Sequence, residues 1–340
     1  MLYGILAATT ALLLSALLAA LLRAPALRAR IVDRRRRTRP VPLLGGLAVV
    51  IAVAAVTWGC DWTAVAPLGD GVAGLLVAGS AVAALGLVAD VWRLKTRFLV
   101  LGTAVAAACV VPYGELGVPG GLLAAAWIVF VAGAFKGLDH ADGLAGTVGV
   151  VTAFGVGACA ATEVMDGLAV LLSVLAAALT GFLMHNWHPA RIALGACGSL
   201  FTGFVLASAA VVTRAGHGLA STAGVLFALT ALASADAVLV LLSRRLAGRA
   251  LLRGGPDHLA HRLRKLGLTP QGAVVLLGLG GFSGVLVAVL VHNGWAGESA
   301  VMWVAGGALV VVGGLLKVTV YGGRRAVSTQ VRAQLRVRNG

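Results

Sequence analysis

The sequence predicts an all-α integral membrane protein of about eleven transmembrane helices. Three observations carry that reading. The chain is 60% hydrophobic and 11% charged, where soluble domains carry about 25% charged residues. Its mean hydropathy is +0.99. Apolar runs recur along its whole length, and a helix needs about 20 such residues to cross a bilayer.

The runs lie near residues 2–22, 43–60, 71–89, 97–112, 120–135, 144–162, 167–185, 199–213, 220–243, 271–291 and 298–318. The first lacks a basic lead-in, because its arginines follow the apolar stretch, so it reads as a retained helix and not a cleaved signal. The second follows "RARIVDRRRRTRPVPLLGG", a basic turn with a proline approach. The third and fourth flank "LVADVWRLKTRF", and the fifth and sixth flank "FKGLDHADGLAGT". The seventh and eighth flank "MHNWHPARIALGACGS". The ninth and tenth flank "RALLRGGPDHLAHRLRKLGLTPQG", and the eleventh is followed by the basic tail "RRAVSTQVRAQLRVRNG". The 47 glycines suit close helix approach in lipid. The expected organisation is one membrane domain, 1–322, and a basic tail, 323–340.

Charge fixes the expected orientation. With alternate loops assigned to alternate sides, every one of the 27 Lys and Arg residues except Arg214 falls on one side. The positive-inside rule makes that side cytoplasmic, with the N-terminus outside and the C-terminus inside. The net charge of +15 then reflects juxtamembrane loops facing anionic lipid, as in the arginine run at 34–37, and not nucleic-acid binding. The four cysteines are widely spaced and show neither a disulfide framework nor a zinc pattern.

The acidic residues divide by side. Asp61, Asp70, Glu115, Glu163, Asp166 and Glu298 fall outside and read as solvated loop ends. Asp33, Asp90, Asp139, Asp142 and Asp257 fall on the cytoplasmic face. Asp236 lies within the ninth run, where a charge is costly and needs a partner inside the bundle. Four cytoplasmic loops each set Asp or His beside Lys or Arg and Gly. Carboxylates suit Mg²⁺, which takes oxygen ligands together with substrate phosphates, and basic groups suit phosphate. Plainer readings stand beside this one. Asp139 and Asp142 fit a helix cap, His258 and His261 fit one face of a surface helix, and Asn186 fits a turn before Pro189. A transporter would show more charge or helix breaks at mid-depth than Asp236 alone.

Five segments carry a resemblance: "PVPLLGG", "GLVADVWRL", "DHADGLAGT", "HNWHPARIALGACGSLFTGF" and "HLAHRLRKLGLTPQGAVVLL". Together they resemble the polyprenyl-phosphate N-acetylhexosamine-1-phosphate transferases, the group containing MraY, WecA and TagO, over about residues 33–270. The resemblance implies attack of a membrane polyprenyl phosphate (undecaprenyl or decaprenyl) on a UDP-N-acetyl sugar. UMP leaves, and Mg²⁺ is required. It implies catalytic roles for Asp90, Asp139, Asp142, His258 and His261, with Asp90 and Asp139 as metal ligands. It implies substrate contacts from Lys136, Asn186, Arg191, Gly195, Gly198, Ser199 and Arg262. The loop around His258 leans toward the branch that transfers GlcNAc-1-phosphate for cell-envelope polysaccharide, with UDP-MurNAc-pentapeptide as the alternative substrate. It also implies the bacterial plasma membrane and brings in a homodimer, which no sequence feature addresses.

The chain departs from the pattern at named positions. Ala89 stands for the first aspartate of a pair, Ala260 for the middle loop histidine, and His140 for a loop glycine. Lys136 stands for an asparagine. Ala196 stands for the aspartate of the Gly-Asp-x-Gly-Ser motif, a metal ligand in the family. Two readings follow: a transferase whose site is rebuilt with the charge of Lys136 or His140, or a catalytically degenerate homologue that binds lipid phosphate or nucleotide sugar or scaffolds envelope enzymes.

Overall fold

The computed structural model describes residues 2–33, 40–63, 69–92, 94–250 and 255–320. The arginine run at 34–37, Arg93 and the tail 323–340 lie outside the described residues. The first half comprises α1 (Leu2–Arg28), a two-stranded antiparallel ribbon of β1 (Val32–Asp33) and β2 (Val41–Pro42), α2 (Gly45–Trp62), α3 (Gly69–Trp92), α4 (Thr96–Val110), α5 (Tyr113–Leu138) and α6 (Leu144–Thr162). There follow α7 (Asp166–Asn186), α8 (Gly195–Thr213), α9 (Leu219–Leu229), α10 (Ala231–Leu246), α11 (Leu259–Lys265), α12 (Pro270–His292) and α13 (Ala300–Leu316).

Every apolar run in the sequence coincides with a helix, but not all are single spans. Among the described residues eight helices are long and apolar enough to cross a membrane, so the chain is a multi-pass membrane protein. The ninth run is two helices, α9 and α10, bent by 81°. The break falls at Thr230, whose φ of −118° leaves the helical region. The Thr230 hydroxyl bonds back to Leu226 O, and Thr152 donates to Leu229 O, so side chains supply part of what the break removes. The fourth and eleventh runs form the shorter apolar helices, of 15 and 17 residues. The fifth helix starts earlier than expected, at Tyr113, across a break where Gly117 takes φ 65°. Thr269 caps α12 by accepting from Gly272 N, with Pro270 in its first turn.

Helix α8 is the hub. All of its residues except Val212 are buried, and it packs against α2, α3, α5 and α6. Small residues permit this. A Cβ on Gly198 would sit 2.4 Å from the Gly46 Cα of α2, and one on Gly86 of α3 would sit 2.5 Å from the Ala196 carbonyl oxygen. The close approaches bring the N-terminal end of α8 against the C-terminal ends of α3 and α5. All four cysteines are free.

Candidate functional site

The first turn of any helix leaves backbone N–H groups without partners, and that end carries positive potential. At α8 two carboxylates from distant elements meet this need. Gly195, at φ 69°, turns the chain into the helix. Its N–H donates to Asp139 Oδ2 at 2.8 Å. The next two, Ala196 and Cys197, donate to Asp90 Oδ1 and Oδ2 at 2.9 and 3.0 Å. Asp90 comes from the last turn of α3, and Asp139 is the C-cap of α5. Lys136, half-buried, lies within electrostatic reach of Asp90.

Asp142, on the same loop as Asp139, closes a second contact. Its Oδ2 accepts from His188 Nδ1 at 2.7 Å and from Ala190 N at 3.1 Å. Asn186, at the end of α7 and buried, accepts from Gly143 N and donates to Ile192 O, both at 2.8 Å. It thereby ties the α5–α6 loop to the α7–α8 loop. Ser199 is buried and donates to Gly195 O. Gly198 is the packing contact with α2, while Arg191 is exposed.

The α10–α11 segment forms a third group. Asp236 is 1% exposed. It accepts from His258 Nδ1 through Oδ2 at 2.7 Å and from Leu259 N through Oδ1 at 2.8 Å. The partner expected for this in-span acid is therefore the loop histidine. His140 stacks on His258, with ring centres 4.0 Å apart and planes at 17°. It meets His261 edge-on at 4.9 Å. The His140 Nδ1 donates to Gly137 O at 2.8 Å, so its Nε2 holds the lone pair. Burial, and then the neighbouring His258, push the His140 imidazole down to about 3. His140 is thus neutral near pH 7 and cannot lend the positive charge considered for it from the sequence. Ala260, where the motif has a histidine, is buried.

Arg262 is 2% exposed and works as a strut. Its Nε donates to Asp257 O at 3.0 Å, its NH1 to Leu315 O and Val318 O at 2.7 Å each, and its NH2 to Ser243 Oγ. Arg244 Nε meets Asp257 Oδ2 at 2.6 Å. Beside this strut, Pro256, His261, Arg264, Lys265, Leu268 and Pro270 line a cavity of about 390 Å³. Its basic lining suits phosphate.

The structure therefore brings Asp90, Asp139 and Gly195 together at α8, and His258 and His261 together beside His140. Asn186, Ser199 and Arg262 bond within the protein. Of the members of the histidine group, Asp236 was given no site role in the sequence, and His140 was considered only for its charge. The in-span charge of Asp236 was the available signal.

A Mg²⁺ site needs oxygen donors free to face the ion, commonly one or two carboxylates with substrate phosphates. Here Asp90 and Asp139 turn three oxygens onto backbone N–H groups at the positive end of α8, and Ala196 offers only a methyl. Among the described residues, the groups of three possible ligating side chains are His140, Asp236 and His258, and Glu163, His217 and His292. Neither includes Asp90, Asp139 or Asp142. Relative to the family motif, this donor set lacks the carboxylate that would stand at position 196.

Residues 72–214 match the profile of glycosyl transferase family 4. A Streptomyces coelicolor protein, named only as a glycosyltransferase, is 67% identical over 328 residues, covering 95% of this chain and 80% of its own. The decaprenyl-phosphate N-acetylglucosaminephosphotransferase of Mycolicibacterium smegmatis is 30% identical over 286 residues, covering 72% of this chain and 70% of its own. A Bacillus subtilis protein named as an undecaprenyl-phosphate N-acetylglucosaminyl 1-phosphate transferase is 26% identical over 297 residues, covering 80% and 78%. The chain belongs to the polyprenyl-phosphate N-acetylhexosamine-1-phosphate transferase family.

Proposed function

We propose that the chain binds a polyprenyl phosphate and a UDP-N-acetyl sugar at this polar face without carrying out Mg²⁺-dependent transfer. One observation carries the reading. Asp90 and Asp139 are engaged by the first three N–H groups of α8, and Ala196 stands where the family motif has its metal-binding aspartate. The basic cavity at His261, Arg264 and Lys265 supplies the phosphate-binding chemistry that remains. The lipid is undecaprenyl or decaprenyl phosphate. UDP-GlcNAc is the sugar nucleotide, ahead of UDP-MurNAc-pentapeptide. The face is cytoplasmic, in the plasma membrane of a bacterium, with the N-terminus outside.

A second reading, transfer of GlcNAc-1-phosphate to the lipid for envelope polysaccharide, is favoured by the names of the relatives that cover most of the chain. One experiment separates the two. Full-length protein in detergent is mixed with UDP-GlcNAc, undecaprenyl phosphate and Mg²⁺. Lipid binding is followed by native mass spectrometry and turnover by UMP release. The proposal expects bound lipid phosphate, no UMP from the natural sequence, and UMP once Ala89→Asp and Ala196→Asp are combined. UMP release by the natural sequence, abolished in Asp90→Asn, establishes the second reading instead.

A further inference from the structure

We propose that the far end of α8, opposite Asp90 and Asp139, holds the headgroup of one phosphatidylethanolamine, its phosphate at Ser221 and Arg214 and its ammonium at Glu298. The starting point is a buried charge. Arg214, the C-cap of α8, is 3% exposed. It is the one Lys or Arg that the charge pattern assigns to this side. A buried cation is costly without an anion, yet among the described residues Arg214 meets no carboxylate directly. Its NH1 donates to His292 Nδ1 and its NH2 to Ser221 Oγ, each at 3.0 Å, and its Nε has no partner. Glu163 and Glu298 lie within electrostatic reach, but Glu163 stands beyond His292, with Oε1 3.3 Å from His292 Nε2.

Ser221 carries that charge to a cavity. The first turns of α9 and α13 and the end of α12 enclose about 310 Å³, with Ser221, Gly224, Val291, Glu298, Ser299 and Met302 in the lining. A hydroxyl has one proton and two lone pairs. Ser221 accepts from Arg214 and makes no other hydrogen bond among the described residues, so its proton is left to donate, polarised by the guanidinium behind it. An anionic phosphate oxygen is the acceptor that suits such a donor. Val291 and Met302 give the cavity apolar walls for the glycerol and the first methylenes. Trp295 and Trp303, close in the chain to Glu298 and Met302, are 79% and 84% exposed. Tryptophan marks the membrane–water boundary, so the cavity lies at headgroup depth.

Glu298 decides which phosphate fits. A purely anionic ligand, such as free phosphate or phosphatidylglycerol, would satisfy Ser221 and Arg214 but set its charge against the Glu298 carboxylate. A headgroup that joins a phosphate to a primary ammonium meets both walls, since an ammonium brings three donors and pairs with a carboxylate. The site is separate from the basic cavity at His261, Arg264 and Lys265, and it does not depend on what that cavity binds.

The full-length chain in detergent, stripped of lipid, is titrated with dioleoyl phosphatidylethanolamine or dioleoyl phosphatidylglycerol, and bound lipid is counted by native mass spectrometry. One phosphatidylethanolamine per chain is expected, held about 10-fold or more tightly than phosphatidylglycerol. Ser221→Ala and Arg214→Gln are each expected to weaken it by about 10-fold or more, because each removes a contact to a charged group. Glu298→Gln brings the ethanolamine lipid down to the level of the glycerol lipid. Each variant is first required to elute as a single species; if Arg214→Gln fails this, Ser221→Ala decides. Equal retention of the two lipids by the natural chain overturns the site. So does tight binding that persists in a folded Ser221→Ala variant, or a preference unchanged in Glu298→Gln. Displacement of the lipid by excess inorganic phosphate overturns it too, because the ligand is then a free anion.

Discussion

Replacing Asp90 by alanine removes the acceptor for two N–H groups at the start of α8. The bonds are 2.9 and 3.0 Å, and both come from a helix end that is otherwise buried. A hydrogen bond to a charged group contributes about 1.5–3 kcal/mol. Discounted for the partial exposure of Asp90, the pair contributes about 2–4 kcal/mol. Asparagine keeps one acceptor and costs roughly half as much. Asp139→Ala loses one such bond and falls between them in effect. Thermal unfolding of purified protein in detergent, read by intrinsic fluorescence, checks the order: natural sequence most stable, then Asp90→Asn and Asp139→Ala, then Asp90→Ala. A carboxylate kept for substrate or metal would give the opposite result, because removing buried like charge relieves strain. An unchanged or raised midpoint in Asp90→Ala therefore refutes the capping role.

Two further outcomes follow from the same helix end. Ala196→Asp sets a third carboxylate beside Asp90 and Asp139; its unfolding midpoint is expected to rise with Mg²⁺, whereas that of the natural sequence does not. Gly198→Val places a Cβ where the Gly46 Cα of α2 lies 2.4 Å away; neither backbone can yield cheaply, so a loss of about 3 kcal/mol or more is expected, seen as aggregation on gel filtration.

Much of the fold was legible because lipid demands long apolar runs, and each of those runs is helical, the ninth as two helices. The bend between α9 and α10 was not legible, since Thr230 looks like any threonine until Thr152, on α6, approaches the chain just before it. At the site, the acidic and histidine residues were visible as types. Their duties were not, because the amide that Asp90 accepts belongs to a residue 106 positions away. The same loss of information affects Asn186. In isolation its side chain reads as a turn residue and by resemblance as a substrate contact; in the fold it bridges two loops once the α5–α6 turn is in place. Asp236 was the exception: a lone acid in an apolar run announced that something polar must come to meet it.

The Arg262 strut has a mechanical consequence. It clamps the segment bearing His258 and His261 to the carbonyls that end the last described helix. The histidine loop and the end of α13 must therefore shift together. A spin label or fluorophore on the outward side of α13 would then register any rearrangement of the polar face, without a probe in the face itself.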